Sequence, residues 1–181
     1  AKFDVIMPGD LVHCDFGITY LTLNTDCQEL AYVLKPEEID APDFLKEALK
    51  KGNEVQDALT DNFKKGRTGN STLKMAIESS KNAGLRPQIY THPLGLYGHS
   101  AGTTFGMWDA QDGIPGSGEH PLYENTTYAI ELNAKVFIEQ WRKDVRIMLE
   151  EPGYFGPEGF RYINGRQTNL ILIGEKSNHI R

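Results

Sequence analysis

The chain has 181 residues and a formal net charge of −6, with 39% hydrophobic and 24% charged residues. These values are typical of one globular domain and argue against a nucleic-acid surface, which needs clustered Lys and Arg. No apolar run approaches the roughly 20 residues of a membrane helix, and no signal peptide is visible. We therefore expect a single domain over residues 1–181 that binds neither nucleic acid nor membrane. We also expect a cytoplasmic location, with a removed N-terminal signal as the alternative. Because Ala1 leads directly into a strand-like segment, we also expect a piece of a longer protein, truncated on its N-terminal side.

Residues 10–33 predict a β-hairpin, because strand-forming residues resume after a turn near Tyr20. Asp40 then has the position of a helix N-cap, with Pro42 just inside the helix. Apolar residues follow at helical spacing to about Lys65, where a glycine ends the first predicted helix.

A second, shorter helix is predicted from a cap at Thr68 to Gly84, followed by a short strand at 88–91. Residues 93–126 are rich in Gly and Pro and predict a long irregular loop, which in a compact domain is usually functional or disordered. Four later segments have the composition of strands: 128–137, 145–150, 160–163 and 169–173. Helices between an early hairpin and late strands indicate an α+β fold with an antiparallel, strongly bent sheet.

Two aspartates stand on the predicted hairpin. A turn at Tyr20 and Leu21 would place Asp15 directly opposite Asp26, with their Cβ atoms about 4.5–5.5 Å apart on one face. Two carboxylates that close repel each other unless one is protonated or a cation lies between them. The pair therefore suggests a metal, while a solvated surface pair or a different register remains the alternative.

The same register would pair Cys14 with Cys27 on the other face of the hairpin. A cross-strand disulfide is conceivable there, but we expect two reduced cysteines packed in the core. Trp108 and Trp141 are likewise expected to pack in the core, with a pocket or an interface as the alternative.

His92 and His99 are seven residues apart in a glycine-containing segment. A neutral imidazole is a common metal ligand, and a second nearby histidine can hydrogen-bond a substrate or an oxyanion. A turn with one satisfied and one exposed histidine is the alternative. His13 precedes Asp15 by two residues and could border the same site, although a structural role is favoured.

Glu131 lies inside an apolar strand, where a charged residue is rarely buried without a partner. Glu150 and Glu151 end another apolar segment in the same way. Strand alternation predicts that one of these two glutamates points inward and the other outward.

Together these motifs resemble the pita-bread metallopeptidases, which include aminopeptidase P, prolidase and methionine aminopeptidase. The resemblance runs over residues 8–173, and the histidine spacing is most similar to the proline-directed branch. It rests on five segments in a fixed order: Gly9-Asp10-Leu11-Val12 leading into Asp15-Phe16-Gly17, Asp26 eleven residues later, His92 with His99, Ile130-Glu131, and Leu149-Glu150-Glu151. It implies a bent antiparallel sheet with helices on its outer face.

The resemblance also implies roles for five metal ligands. Asp15 would chelate one metal ion, and Asp26 would bridge both. His92 and Glu131 would hold the other ion, and Glu150 would bridge the two. The ions would be Mn first of all, with Co or Zn as alternatives.

Some features depart from the family pattern. Relatives carry an Arg two residues before the last Glu, but here that position is Met148 and the nearest Arg is Arg146. An alignment on the Arg would put Met148 in the ligand position, so we prefer Glu150. The loop between His99 and Glu131 is longer than expected, and about a hundred residues that precede the first Asp in relatives, including another active-site His, are absent.

The implied activity is cleavage of an X-Pro bond near a free N-terminus by a hydroxide held between the two metal ions. Glu131 would shuttle the proton, and His99 would contact the substrate or the tetrahedral intermediate. The partner would be a peptide with proline at its second position, and a homodimer stays open. The alternatives are a non-catalytic metal-binding or partner-binding domain of the same fold, an inactive fragment or, less favoured, a methionine aminopeptidase.

Overall fold

Ten strands and two α-helices lie within residues 5–174, the part of the chain described by a computed structural model. The strands are β1 (Leu11–Phe16), β2 (Thr19–Tyr20), β3 (Leu23–Asn24), β4 (Cys27–Val33), β5 (Pro87–Ile89), β6 (His92–Pro93), β7 (Thr126–Ile138), β8 (Lys143–Gly156), β9 (Gly159–Tyr162) and β10 (Ile171–Ile173). The helices are α1 (Asp43–Thr60) and α2 (Gly69–Asn82). Neither helix has the length and apolarity needed to cross a membrane.

Eight of the strands form one sheet. Its central path runs β1-β4-β8-β7-β5, with β10 beside β4, β6 beside β7 and β9 beside β8. The short β2 and β3 pair separately at the tip of the first hairpin. The two long strands β7 and β8 pair along thirteen registered positions and form the centre of the sheet.

The first hairpin has a different register from the predicted one. Its turn lies at Leu21 and Thr22, which adopt positive φ angles of 47° and 69°, one residue later than expected. Asp15 is therefore opposite Gln28 rather than Asp26. The shift moves the pairing by two residues, which preserves the face to which each side chain points.

The cysteine pairing was wrong for the same reason, since Cys14 lies opposite Glu29 and Cys27 lies opposite Phe16. Both cysteines are free, in agreement with the reduced state that we expected, but Cys14 is exposed rather than packed in the core.

Helix α1 begins and ends differently from the prediction. Its N-cap residue is Pro42, and no side chain caps it, because the Asp40 carboxylate instead accepts from the Ala41 amide and pairs with Lys46. The helix ends at Thr60, about one turn before the predicted end at Lys65. The cap of α2 was predicted correctly, since the Thr68 hydroxyl accepts a hydrogen bond from the Ser71 amide.

The late strands appear where they were predicted, with longer β7 and β8 and a shorter β10. One pairing contradicts the expected all-antiparallel sheet, because β10 runs parallel to β4. Only the first part of the predicted strand at 88–91 lies in a strand, β5, and β6 begins directly after it at His92. Residues 93–126 are mostly irregular, as expected, apart from the end of β6 and one 3-10 turn at Ser117–Glu119.

The core lies between the helices and one face of the sheet. Gly52 of α1 approaches Leu149 so closely that an added Cβ would lie 2.8 Å from its Cδ1 atom. The closely packed helix and the fully buried Ile130 and Leu132 hold β7 and β8 in place. The alternate residues of these strands, Glu131 among them, face the other side.

Candidate metal centre

All five of the predicted ligands converge on one point of the sheet. Asp15 lies on β1, Asp26 directly precedes β4, His92 lies on β6, Glu131 on β7 and Glu150 on β8. Ligand atoms of Asp15, Asp26 and Glu150 lie within 4.8 Å of one another, and so do those of His92, Glu131 and Glu150. Two groups of three that share Glu150 are compatible with two adjacent cations.

The strand register explains this convergence. Glu131 is paired directly with Glu150 across β7 and β8, and Gln28 of β4 is paired with Glu150 on its other side. Paired residues point to the same face of a sheet. With Asp15, which is opposite Gln28 on β1, four neighbouring strands therefore present a row of four polar side chains at one level of the sheet.

His92 points its Nε2 atom at the carboxylates. Nε2 lies 3.6 Å from both Glu131 Oε2 and Glu150 Oε1, and 4.0 Å from Asp26 Oδ2. The other ring nitrogen, Nδ1, lies 3.1 Å from the Pro93 carbonyl oxygen, so we assign the proton of the neutral ring to Nδ1. In that tautomer the Nε2 lone pair faces acceptors only.

The pKa values reflect how closely these charges are packed. Burial raises the pKa of Glu150 to about 7, and the neighbouring Glu131 carboxylate adds to the effect. Burial also raises the pKa of Asp26, with Asp15 and Glu131 contributing. For His92, burial opposes the charged ring, but the carboxylates of Glu131 and Glu150 outweigh it and raise the pKa to about 10.

Two atoms at the centre lack partners among the described residues. Glu150 Oε1 and His92 Nε2 are both buried without a hydrogen bond, although buried polar atoms are usually paired. A carboxylate oxygen and an imidazole nitrogen are both suitable ligands for Mn, Co or Zn. A divalent cation between them would satisfy both atoms, so these residues fit the metal that the resemblance implies.

His99 also lies at this centre. Its ring stacks on that of His92 with the centroids 3.9 Å apart and the planes tilted by 41°. It is exposed, and its nitrogen lies within 4.8 Å of ligand atoms of Asp26 and His92. The predicted role in substrate contact is compatible with this position at the open side of the cluster.

Met148 and Glu150 were the two candidates for the last ligand position. Met148 lies opposite Asn133, two residues along β8, whereas Glu150 reaches the cluster. Glu150 and Glu151 point to opposite faces of β8, as strand alternation predicted, but neither is exposed. Glu151 is on the opposite face of β8 but is also buried, because its Oε1 accepts a hydrogen bond from the Gln167 amide at 2.6 Å.

Gln28 belongs to the site and was missed from the sequence. It is fully buried, and its amide nitrogen donates to Glu131 Oε1 at 2.8 Å and to Asp15 Oδ2 at 3.3 Å. Its amide oxygen lies 2.9 Å from His13 Nε2, which therefore donates to it. A glutamine is not a typical metal ligand, so only its position two residues after Asp26 could have pointed to it.

Asn24 connects the two parts of the chain that supply ligands. Its backbone amide donates to the Gly95 carbonyl at 2.8 Å, and its side chain donates to the Leu96 carbonyl at 2.8 Å. These bonds tie the tip of the aspartate hairpin to the segment between His92 and His99.

A family model for metallopeptidase family M24 matches residues 2–154. The chain belongs to this family. No curated protein sequence matches the chain. Among solved structures, this M24 chain is similar to an X-Pro aminopeptidase from Thermotoga maritima MSB8, with 21% identity, a TM-score of 0.70 and coverage of 96% of this chain and 44% of that one.

Two further structures extend the comparison. A prolidase from Pyrococcus horikoshii OT3 has 20% identity and a TM-score of 0.67, with 94% of this chain and 44% of that one covered. A methionine aminopeptidase from Rickettsia prowazekii has 14% identity and a TM-score of 0.61, with coverage of 85% and 64%. These likenesses confirm the expected pita-bread fold. The M24 chain spans less than half the length of the X-Pro aminopeptidase and the prolidase.

Proposed function

We propose that this domain binds two divalent metal ions and hydrolyses an X-Pro peptide bond near a free N-terminus. The observation that carries the proposal is the buried pair of unpartnered atoms, Glu150 Oε1 and His92 Nε2, at the meeting point of five ligand-type side chains. Membership of a metallopeptidase family and the likeness to X-Pro aminopeptidases and prolidases support it.

In this proposal Asp15, Asp26 and Glu150 hold one ion, and His92, Glu131 and Glu150 hold the other. Bound divalent ions, Mn first of all, would supply an activated water and polarise the substrate carbonyl. The neutral His92 ring is kept in the ligating tautomer by the Pro93 carbonyl, which accepts its Nδ1 proton.

The remaining steps belong to side chains of the chain itself. Glu131 would accept the proton of the attacking water and pass it to the leaving nitrogen. Only one of its oxygens receives the Gln28 amide, at 2.8 Å, so the other remains available at the cluster. His99, exposed beside His92, would donate a hydrogen bond to the developing oxyanion. In comparable sites such a bond lowers the activation barrier by about 3 kcal/mol.

The experiment combines metal content with hydrolysis. After dialysis against Mn, mass spectrometry is expected to find about two equivalents per chain, and X-Pro peptides are expected to be cleaved at their first bond. Glu131→Gln should remove activity even where metal remains bound, and full activity in that variant would exclude the proton-shuttle role.

Other outcomes distinguish the alternatives. Two equivalents of metal without hydrolysis of any peptide would favour the non-catalytic domain or an inactive fragment. Release of N-terminal Met from peptides whose second residue is not Pro would favour the methionine aminopeptidase. No bound metal would refute the site itself.

A further inference from the structure

A pocket of about 430 Å³ opens directly beside the metal centre. His92, His99 and Glu131 line one part of it, so a ligand in the pocket would touch the site residues. The other walls are largely apolar and are made by Tyr90 and by the loop that follows His99. This is the long loop whose length departs from the family pattern.

Two large apolar side chains of this loop are unusually exposed. Met107 is 48% exposed and Trp108 is 69% exposed, although we expected Trp108 to pack in the core. Both line the pocket, together with Ile114. Adjacent exposed apolar side chains at a pocket typically mark a binding surface.

The loop is held in place by amide side chains. The Gln111 side chain accepts from the Ile89 amide at 2.9 Å and donates to the carbonyls of Ile89 and Met107, which fastens the loop to β5. Asn70 of α2 makes a matching pair of hydrogen bonds with the backbone of Ile114, at 2.8 and 2.9 Å. The apolar wall is therefore already formed before any ligand binds.

The position of the pocket indicates which substrate residue it holds. In an X-Pro peptide the attacked carbonyl belongs to residue X, whose side chain branches from the carbon next to that carbonyl, so a pocket beside the metal ligands can receive it. The pocket shares His92 and Glu131 with the metal centre. A methyl group or no side chain at X would leave Met107 and Trp108 uncovered.

We propose that this loop-built pocket selects substrates in which residue X carries a bulky apolar side chain, Leu, Met or Phe, over those with Gly or Ala. The assignment of the pocket to X rests on the proposed X-Pro activity. Trp108 and Met107 are its specificity-determining residues, and burial of their apolar surface by the substrate provides the preference.

Binding of a ligand in the pocket can be followed by tryptophan fluorescence without turnover. Trp108 lines the pocket, and the chain has two Trp residues in all. Trp141 packs edge-on against Phe44 with the ring centroids 5.8 Å apart, so Trp141→Phe leaves Trp108 as the single emitter. The probes are X-Pro dipeptides whose scissile carbonyl is reduced to a methylene group, with X as Gly, Leu or Phe. We expect a blue shift of emission and a Kd at least about tenfold lower for Leu and Phe than for Gly.

The variants Trp108→Ala and Met107→Ala, measured by calorimetry, are expected to reduce that ratio to about threefold or less. Tyr123→Ala is the matched control, since Tyr123 is a 63% exposed aromatic residue that does not line the pocket. Equal Kd values for the Gly and Phe probes, or an unchanged ratio in Trp108→Ala, would overturn the inference.

Hydrolysis separates this inference from the proposed function. If X-Pro peptides are cleaved with equal kcat/KM for every X, the activity stands and the pocket assignment fails. If the unmodified peptides Phe-Ala and Phe-Pro are both left uncleaved and their reduced probes bind equally well, the X-Pro activity fails, and the assignment of the pocket to X fails with it.

Discussion

Glu131 and Glu150 face each other across β7 and β8, and the same nitrogen of His92 approaches an oxygen of each to 3.6 Å. Two glutamates in direct register would repel each other if both were charged and no cation were present. Both glutamates can therefore be charged at this spacing only if a cation lies between them and His92.

Glu150→Gln is expected to remove at least one of the two metal equivalents, because Glu150 belongs to both groups of three ligands. Metal content after dialysis measures this directly. Met148→Leu is the control, since Met148 is two residues away on β8 and opposite Asn133. If Met148→Leu lost metal while Glu150→Gln kept both equivalents, the alternative alignment on Arg146 would be correct.

Gln28→Ala is expected to weaken Mn binding by about 10–100-fold, because it removes the hydrogen bonds that orient Glu131 and Asp15. Isothermal titration calorimetry measures the change. His13→Ala, which removes only the donor to the Gln28 oxygen, should have a smaller effect. An unchanged affinity in Gln28→Ala would mean that the carboxylates are oriented without it.

Chelation is expected to destabilise the fold. At a free Mn concentration about 100-fold above Kd, each bound ion adds about 2.7 kcal/mol to the free energy of unfolding, so EDTA should lower Tm. Differential scanning fluorimetry with and without Mn measures the shift. In Glu150→Gln the difference between the two conditions should shrink, and an equal shift in both proteins would indicate metal binding elsewhere.

Thr68→Ala is expected to lower the free energy of unfolding by about 1 kcal/mol, because it removes the hydroxyl that caps α2. Urea unfolding measures this loss. Thr68→Ser keeps the hydroxyl and should retain most of the stability. The two variants would behave alike only if the cap contributed nothing.

The two thiols are expected to react with Ellman's reagent in the absence of reductant. Cys14 is exposed and Cys27 half-buried, and both are free, so Cys14 should react first. A count of no free thiols in the native protein would show a disulfide and would contradict the register of the hairpin.

The convergence of the candidate ligands could be predicted from the sequence because several of them stand out in it. Glu131 is a charge within an apolar strand, and the spacing of His92 and His99 matches a known family pattern. The register of the hairpin could not be predicted, because Leu21 and Thr22 adopt positive φ angles that neither residue type favours. A local signal for that turn would have been Gly or Asn.

The surroundings of the site were harder to predict than its ligands. Gln28 acts through hydrogen bonds to residues distant in sequence, and such contacts leave no periodic pattern. The same holds for Gln111 and Asn70, which fix the loop that carries Trp108. The sequence therefore identified the loop as long and irregular, while its rigid attachment emerged only from the fold.

The hydrogen bonds of Asn24 bear on how fast a bound metal ion can leave the site. They join the aspartate hairpin to the histidine segment at Gly95 and Leu96, so a movement of either part away from the other would break them. Opening of the hairpin would separate Asp15 and Asp26 from His92 in one event. The rate at which metal leaves the protein would then be set by this local opening, which amide hydrogen exchange at Asn24 would also report.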